Sequence, residues 1–229
     1  MDFDDVIRTT FAAREFTSDP VPDGDLYRIL EQARFAPSGG NRQGWHVIVV
    51  REPAVRRRLA EIIQPVWRLY RAQVRAGENP FNTVVPSRVD REAALREPAP
   101  LPFVDHLHDL ARIPVLLVIT VDLAVVAAMD ADLDRVGVVA GASIYPFVWS
   151  LLLSARNAGY GGVLTTFLAA GEAEAREALA IPDRHAVAAM VPLGRPVKQL
   201  TRLRRKPVES FTTLDRCDGP PFVPGSAGP

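Results

Sequence analysis

Arg34-Phe35-Ala36-Pro37-Ser38-Gly39-Gly40-Asn41-Arg42-Gln43-Gly44-Trp45 joins two regular segments, and the contrast between them decides the fold class. Upstream, Asp23 to Arg34 has the pattern of a helix. Leu26, Ile29, Leu30 and Ala33 recur at helical spacing, and Asp23 is placed to cap the start. Downstream, His46-Val47-Ile48-Val49-Val50 has the unbroken apolar, β-branched character of a buried strand. Between them Pro37 ends the helix, and Gly39-Gly40 permits positive φ or a close approach of backbone to another molecule. Ser38, Asn41 and Gln43 add hydroxyl and amide groups without charge. Such a loop serves either as an ordinary helix-to-strand turn or as a seat for a flat polar ligand.

Working outward, Phe3 to Thr10 reads as a short helix, and Val55 to Ile63 and Trp67 to Val74 as two more with arginines on their exposed side. Ala76 to Pro102 is rich in proline and charge, and an irregular segment of that length is either a lid or binding loop, or mobile. Ile113 to Val121, Gly162 to Phe167 and Ala186 to Leu193 read as strands and Glu172 to Leu179 as a helix. Beyond Gly194 little remains that could form a core. Strands separated by helices indicate an α/β or α+β protein.

Val136 to Ala155 holds 20 residues without a charge, the length of a membrane span. Gly137, Gly141, Ser143, Pro146, Ser150 and Ser154 interrupt it, so we read it as the apolar centre of a large core, with Pro146 kinking or restarting the helix. Lys and Arg together number 27, as do Asp and Glu, so no net field favours nucleic acid or an anionic membrane. Cys217 is the one cysteine, which excludes an intrachain disulfide and fits a reducing compartment. The acidic start Met1-Asp2-Phe3-Asp4-Asp5 lacks the features of a signal peptide. A cytoplasmic protein is the expectation.

Several chemistries lose support at the level of motifs. Asp130, Asp132 and Asp134 alternate like the start of a calcium loop, but Arg135 and Gly141 stand where glycine and glutamate are required, so a solvated loop is expected. His106 and His108 lack a third nearby ligand, so no metal is expected. No nucleophile elbow or Cys-His signature occurs. Gly159-Tyr160-Gly161-Gly162 follows a helix, so it reads as a helix cap and not as a dinucleotide turn. The residues offer no obvious proton-transfer group, and the catalytic residues stay unknown. That pattern suits a protein whose cofactor carries the chemistry.

Taken together, the blocks follow a known order. Arg14-Glu15-Phe16, Pro20-Val21-Pro22 and the Ala36 to Trp45 loop resemble the opening of the nitroreductase family of flavin enzymes. Gly141 to Pro146, Leu151 to Arg156 and Gly159 to Thr166 resemble its central helix and following strand, and Arg204-Arg205-Lys206-Pro207-Val208-Glu209 its C-terminal segment. The resemblance lapses over Trp67 to Leu101. It implies a single α+β domain over residues 1–229 with a central mixed sheet flanked by helices, a long buried central helix, a lid-like excursion at 76–112 and an extended arm at 195–229. It also implies FMN, with Arg14 and Arg205 at the phosphate. Pro37, Ser38, Gly39 and Asn41 would lie at the ring edge, and Leu164, Thr165 and Thr166 beside N5. NADH or NADPH would be the reductant and a small organic molecule the second substrate, in ping-pong order, within a homodimer whose two chains share the flavin. A biosynthetic intermediate oxidised by the flavin is the variant of that expectation.

The chain also departs from the pattern. Phe11 and Ala12 replace a basic residue and a hydroxyl, Phe147-Val148-Trp149-Ser150 replaces small and amide residues, Gly44 replaces a proline, and Thr213-Leu214-Asp215 replaces His-Trp-Asp. These changes define the rival expectation, a relative that has lost FMN and binds or transforms another ligand in the same pocket.

Overall fold

The computed structural model describes residues 1–96 and 110–225. Helix α1 (Phe3–Thr9) leads through an extended segment to α2 (Asp23–Ala33), the 37–43 loop and strand β1 (Trp45–Val50). Helix α3 (Pro53–Arg75) and the short α4 (Arg91–Arg96) precede β2 (Val115–Asp122). Helix α5 (Tyr145–Asn157), the two-residue β3 (Gly161–Gly162), α6 (Glu172–Leu179) and β4 (His185–Gly194) complete the described elements.

The strands form one sheet in the order β1-β2-β4-β3, and every ladder is antiparallel. The parallel component expected of a mixed sheet is confined, among the described residues, to one bridge between Ala12 and Gly162. β2 is buried on both faces, and its alternation splits the core in two. Leu116 and Val118 point to a cluster with Leu59, Ile62, Trp67 and Leu168 on the α3 side. Val115, Leu117, Ile119 and Val121 point to a cluster with Leu26, Ile29, Phe147, Val148 and Leu151 on the α2 and α5 side. The result is a three-layer α+β sandwich with the sheet in the middle.

Several elements differ from their sequence readings. The two helices expected after β1 are a single 23-residue α3 that runs through Pro65. Its arginines are not all outward. Arg56 is buried and donates to the carbonyls of Val50 at 2.9 Å, Leu110 at 3.1 Å and Ile113 at 2.6 Å, tying the end of β1 to the start of β2. Burial holds its guanidinium below the usual arginine range. Asp23 does not cap α2, because Pro22 holds that position and Asp23 instead pairs with Arg51 at 2.5 Å.

The uncharged stretch from Val136 is not one helix. Pro146 lies in the first turn of α5, where its missing N–H costs nothing, and the preceding residues form an exposed loop with a short 3₁₀ turn at Val139–Ser143. Among the described residues no helix is long and apolar enough to cross a membrane. Gly159, at φ +85°, closes α5 as expected of a cap, with the Tyr160 N–H donating to the Ala155 carbonyl at 2.8 Å. The loop after Asp130 is exposed over residues 131–138, as expected, but Asp130 itself is not. Asp130 is buried and its carboxylate accepts the N–H of Val138 at 2.7 Å and of Val139 at 3.3 Å, and Arg135 at 2.8 Å. His106 and His108 lie outside the described residues, among which no cluster suited to a metal occurs.

No residue of 195–225 is buried. The start of this tail is pinned to the N-terminal segment by the Thr17 N–H on the Arg195 carbonyl at 2.9 Å, the Val197 N–H on the Glu15 carbonyl at 3.1 Å and the Gln199 amide on the Thr9 carbonyl at 2.9 Å.

Candidate functional site

A cavity of about 410 Å³ opens where the segment after β3 crosses the C-terminal half of α3. Its floor is the segment Val163 to Phe167. The strand expected there stops at Gly162 as a regular ladder, and a single bridge continues it: Thr165 donates to the Met190 carbonyl at 3.0 Å and accepts the Met190 N–H at 2.8 Å. That bond consumes the Thr165 N–H. Those of Leu164 and Thr166, one residue to either side, have no acceptor among the described residues. In an extended segment alternate N–H groups point opposite ways, so Leu164 and Thr166 are the residues whose backbone is available to a ligand.

Arg14 reaches the same cavity from the extended segment after α1. It is placed there because Ala13 is buried in the α3-side core and its N–H donates to the Gly162 carbonyl at 3.0 Å, which fixes the chain next to β3. Arg14 is solvent-exposed and its guanidinium makes, among the described residues, one hydrogen bond at 3.3 Å, to the Ala12 carbonyl, so it keeps donors for an anion.

The opposite wall is aromatic. Trp67 and Tyr70 stack with ring centres 5.2 Å apart, and Phe167 meets both edge-on at 5.1 and 5.6 Å. Pro80 and Phe81 close one side. They sit on the irregular segment after α3, which is fastened by its own side chains. Glu78 accepts the Ser87 hydroxyl at 2.5 Å and the Arg88 N–H at 2.8 Å, and Gln73 Oε1 accepts the Phe81 N–H at 3.2 Å. Apart from Phe167, these wall residues lie where the motif resemblance lapses. Their one sequence signal is the spacing of Trp67 and Tyr70 on a single helix face.

The other expected site residues are elsewhere. Pro37, Ser38, Gly39 and Asn41 do not line this cavity. They form a surface loop in which Gly40, Asn41 and Gln43 all have positive φ (61°, 53° and 49°). Ser38 holds it from within, its Oγ accepting the Gln43 N–H at 2.9 Å and its carbonyl the Asn41 N–H at 2.9 Å. Among the described residues one outside hydrogen bond fastens it, the Gly39 N–H on Ser143 Oγ at 3.1 Å. Gly44 follows because a Cβ there would sit 2.5 Å from Val125 Cγ2. Arg205 lines a separate cavity beside α1 and α5. The chain therefore joins Arg14 with Leu164, Thr165 and Thr166, and leaves the 37–41 loop and Arg205 outside that group.

The cavity is thus backed by the sheet and walled by aromatic side chains, and its lining among the described residues holds one arginine and no carboxylate. The model of the Nitroreductase family matches residues 7–195, and the chain belongs to that family, an oxidoreductase lineage. An iodotyrosine deiodinase of Nematostella vectensis is 26% identical over 204 residues, 88% of this chain and 70% of that protein. A Thermus thermophilus NADH dehydrogenase is 52% identical over 48 residues, a stretch that spans 21% of this chain and 23% of that protein. Among solved structures, a BluB-like flavoprotein from Clostridium difficile 630 superposes with a TM-score of 0.65 at 21% identity, covering 94% of this chain and all of the other. An FMN and NADPH-dependent nitroreductase, NfnB, gives 0.64 at 18%, again over 94% and 100%.

Proposed function

We propose that the chain is an FMN-dependent oxidoreductase that passes reducing equivalents between NAD(P)H and a small organic molecule. One observation carries this reading: Arg14, Leu164 and Thr166 line one cavity whose other wall is aromatic, and the N–H groups of Leu164 and Thr166 have no acceptor among the described residues. The donor set fits the cofactor. A guanidinium matches a phosphate, two backbone N–H groups match the acceptor edge of a flavin ring, and Trp67, Tyr70 and Phe167 offer apolar surface on a planar scale. Bound FMN would supply the two-electron chemistry. The chain's own residues bind and orient. Arg14 neutralises the phosphate, Leu164 and Thr166 donate to the ring, and Pro80 and Phe81 limit access of water.

The same reading makes the protein a homodimer. Phe3 (72% exposed), Trp149 (45%) and Phe211 (66%) project from α1, α5 and the coreless tail, and a second copy would cover them. A partner would also bring its 37–41 loop to the ring edge, which accounts for the absence of that loop from the protomer's own cavity.

Purified protein should retain flavin absorption bands through desalting after saturation with FMN. Arg14→Ala should weaken FMN by roughly 10- to 150-fold, the worth of one charge-assisted hydrogen bond, while riboflavin changes little. Absence of any retained flavin at saturation would sink the proposal and favour the flavin-free reading motivated by Phe11 and Ala12.

A further inference from the structure

Arg56 carries a charge that the fold buries and does not neutralise. The residue is 8% exposed, and its Nε and Nη1 donate to the carbonyls of Val50, Leu110 and Ile113. Those carbonyls satisfy the donors, but they are dipoles and leave the full positive charge in place. Arg56 forms no ion pair with a described residue, and burial without a neighbouring carboxylate holds its guanidinium below the usual arginine range. Its Nη2 makes no hydrogen bond among the described residues and is not sealed inside the protein. Buried charges are ordinarily paired, so a guanidinium held this way is completed by an anion from outside the chain. Arg56 lines a cavity of about 490 Å³ between the segment leading into α2, the end of β1 and the start of β2. The one carboxylate in its described lining, Asp23, is taken by Arg51 at 2.5 Å. Much of the remaining lining is apolar, with Leu26, Val49, Pro114 and Val115. That surround stabilises a hydrocarbon body and gives the several oxygens of a phosphate little to bond.

We propose that this cavity binds a small organic monocarboxylate, whose carboxylate pairs with Arg56 and whose hydrocarbon part packs against Val49, Pro114 and Val115. The site shares no lining residue with the Arg14 cavity and does not rest on the flavin reading. Occupancy has a structural consequence. The Leu110 carbonyl that Arg56 holds belongs to the 3₁₀ turn Leu110–Arg112, which returns the chain from the excursion to β2. A carboxylate on Arg56 removes the cost of burying that charge, so it fastens this return more firmly.

Calorimetric titration of the full chain with benzoate, its neutral isostere benzamide and inorganic phosphate tests the proposal. Benzoate should bind at least about tenfold more tightly than benzamide, the worth of one charge-assisted hydrogen bond, and should raise the urea unfolding midpoint. Arg56→Gln removes the charge while keeping amide donors, and should abolish that preference. Arg56 also joins β1 to β2, so this variant can lose stability, and a second change leaves the arginine intact. Ala111 lines the cavity and is exposed, and Ala111→Glu gives the guanidinium a carboxylate of the chain's own. It should weaken benzoate by about tenfold or more, with the urea midpoint of the ligand-free chain no lower than the parent's. Arg57→Ala, which removes an exposed charge on α3 outside the cavity, should leave benzoate affinity unchanged. The proposal is overturned if benzoate fails to bind, if benzamide binds equally well, or if phosphate binds more tightly than benzoate. It is overturned equally if Ala111→Glu leaves benzoate affinity where it was.

Discussion

The floor of the Arg14 cavity and the 37–43 loop are both short irregular segments beside the sheet, yet they are held by different means. Thr165 exchanges two hydrogen bonds with Met190 in the centre of the sheet, and Leu168, just past the floor, is fully buried. The loop is held by Ser38, by the Gln43 amide donating to Asn41 Oδ1 at 3.1 Å, and by Ser143, with three residues at positive φ. Two of these, Asn41 and Gln43, carry side chains, and such backbone persists only where surrounding contacts enforce it. The floor is thus part of the core and stands or falls with it. The loop is a local device that can lose its shape while the fold survives.

The largest effect that tests this contrast is at the floor. Met190→Ala removes a fully buried side chain from the strand that supports Thr165, and should cost about 2–5 kcal/mol in urea unfolding. Ligand affinity at the Arg14 cavity should fall with it. A variant that loses stability and keeps full affinity would show that the floor is independent of the core. Ser143→Ala should have a smaller effect and a different signature. It removes one hydrogen bond worth about 1 kcal/mol, so ligand affinity should drop up to about fivefold with the unfolding midpoint nearly unchanged. An equal loss in both measurements would place the loop in the cooperative core.

The third test concerns the loop before α5 and can be switched by pH. The Val138 N–H, then Arg135, hold the Asp130 carboxyl below the usual carboxylate range. A carboxyl depressed in the folded state stabilises fully at neutral pH, and that contribution is lost as pH falls through its folded value. Asp130→Asn should therefore be less stable than the parent near neutral pH, and the two curves should converge in acid. A difference that is constant across pH would show that the carboxylate charge is not what fastens this loop.

Much of the architecture was legible in the residues. The apolar spacing of Leu26, Ile29, Leu30 and Ala33 located α2 to within a residue, and the apolar run before Asp122 located β2, because periodicity reports burial directly. Other readings failed for local reasons. The two helices read at Val55 to Ile63 and Trp67 to Val74 are one, since packing of Ile62, Ile63, Trp67 and Leu69 into the core outweighs the hydrogen bond lost at Pro65. The spaced aspartates looked solvated, but Asp130 turns inward because backbone N–H groups eight and nine residues later converge on it. Of the site, Arg14 and the 164–166 segment were named from motif order. That Thr165 has no free N–H depends on its register with Met190, which no local pattern encodes.

The sequence by itself determined the composition of the layers, the family and the residue types offered to a ligand, because each follows from local chemistry and order along the chain. The tertiary structure alone decided which of those residues meet. It set Arg14 beside Leu164 and Thr166 through the Ala13 to Gly162 bond, brought Trp67, Tyr70 and Phe81 to the same cavity, and placed Arg205 with Arg8 and Arg202 in another. Side chains far apart in sequence become neighbours only when the core between them closes, so their pairing belongs to the whole fold.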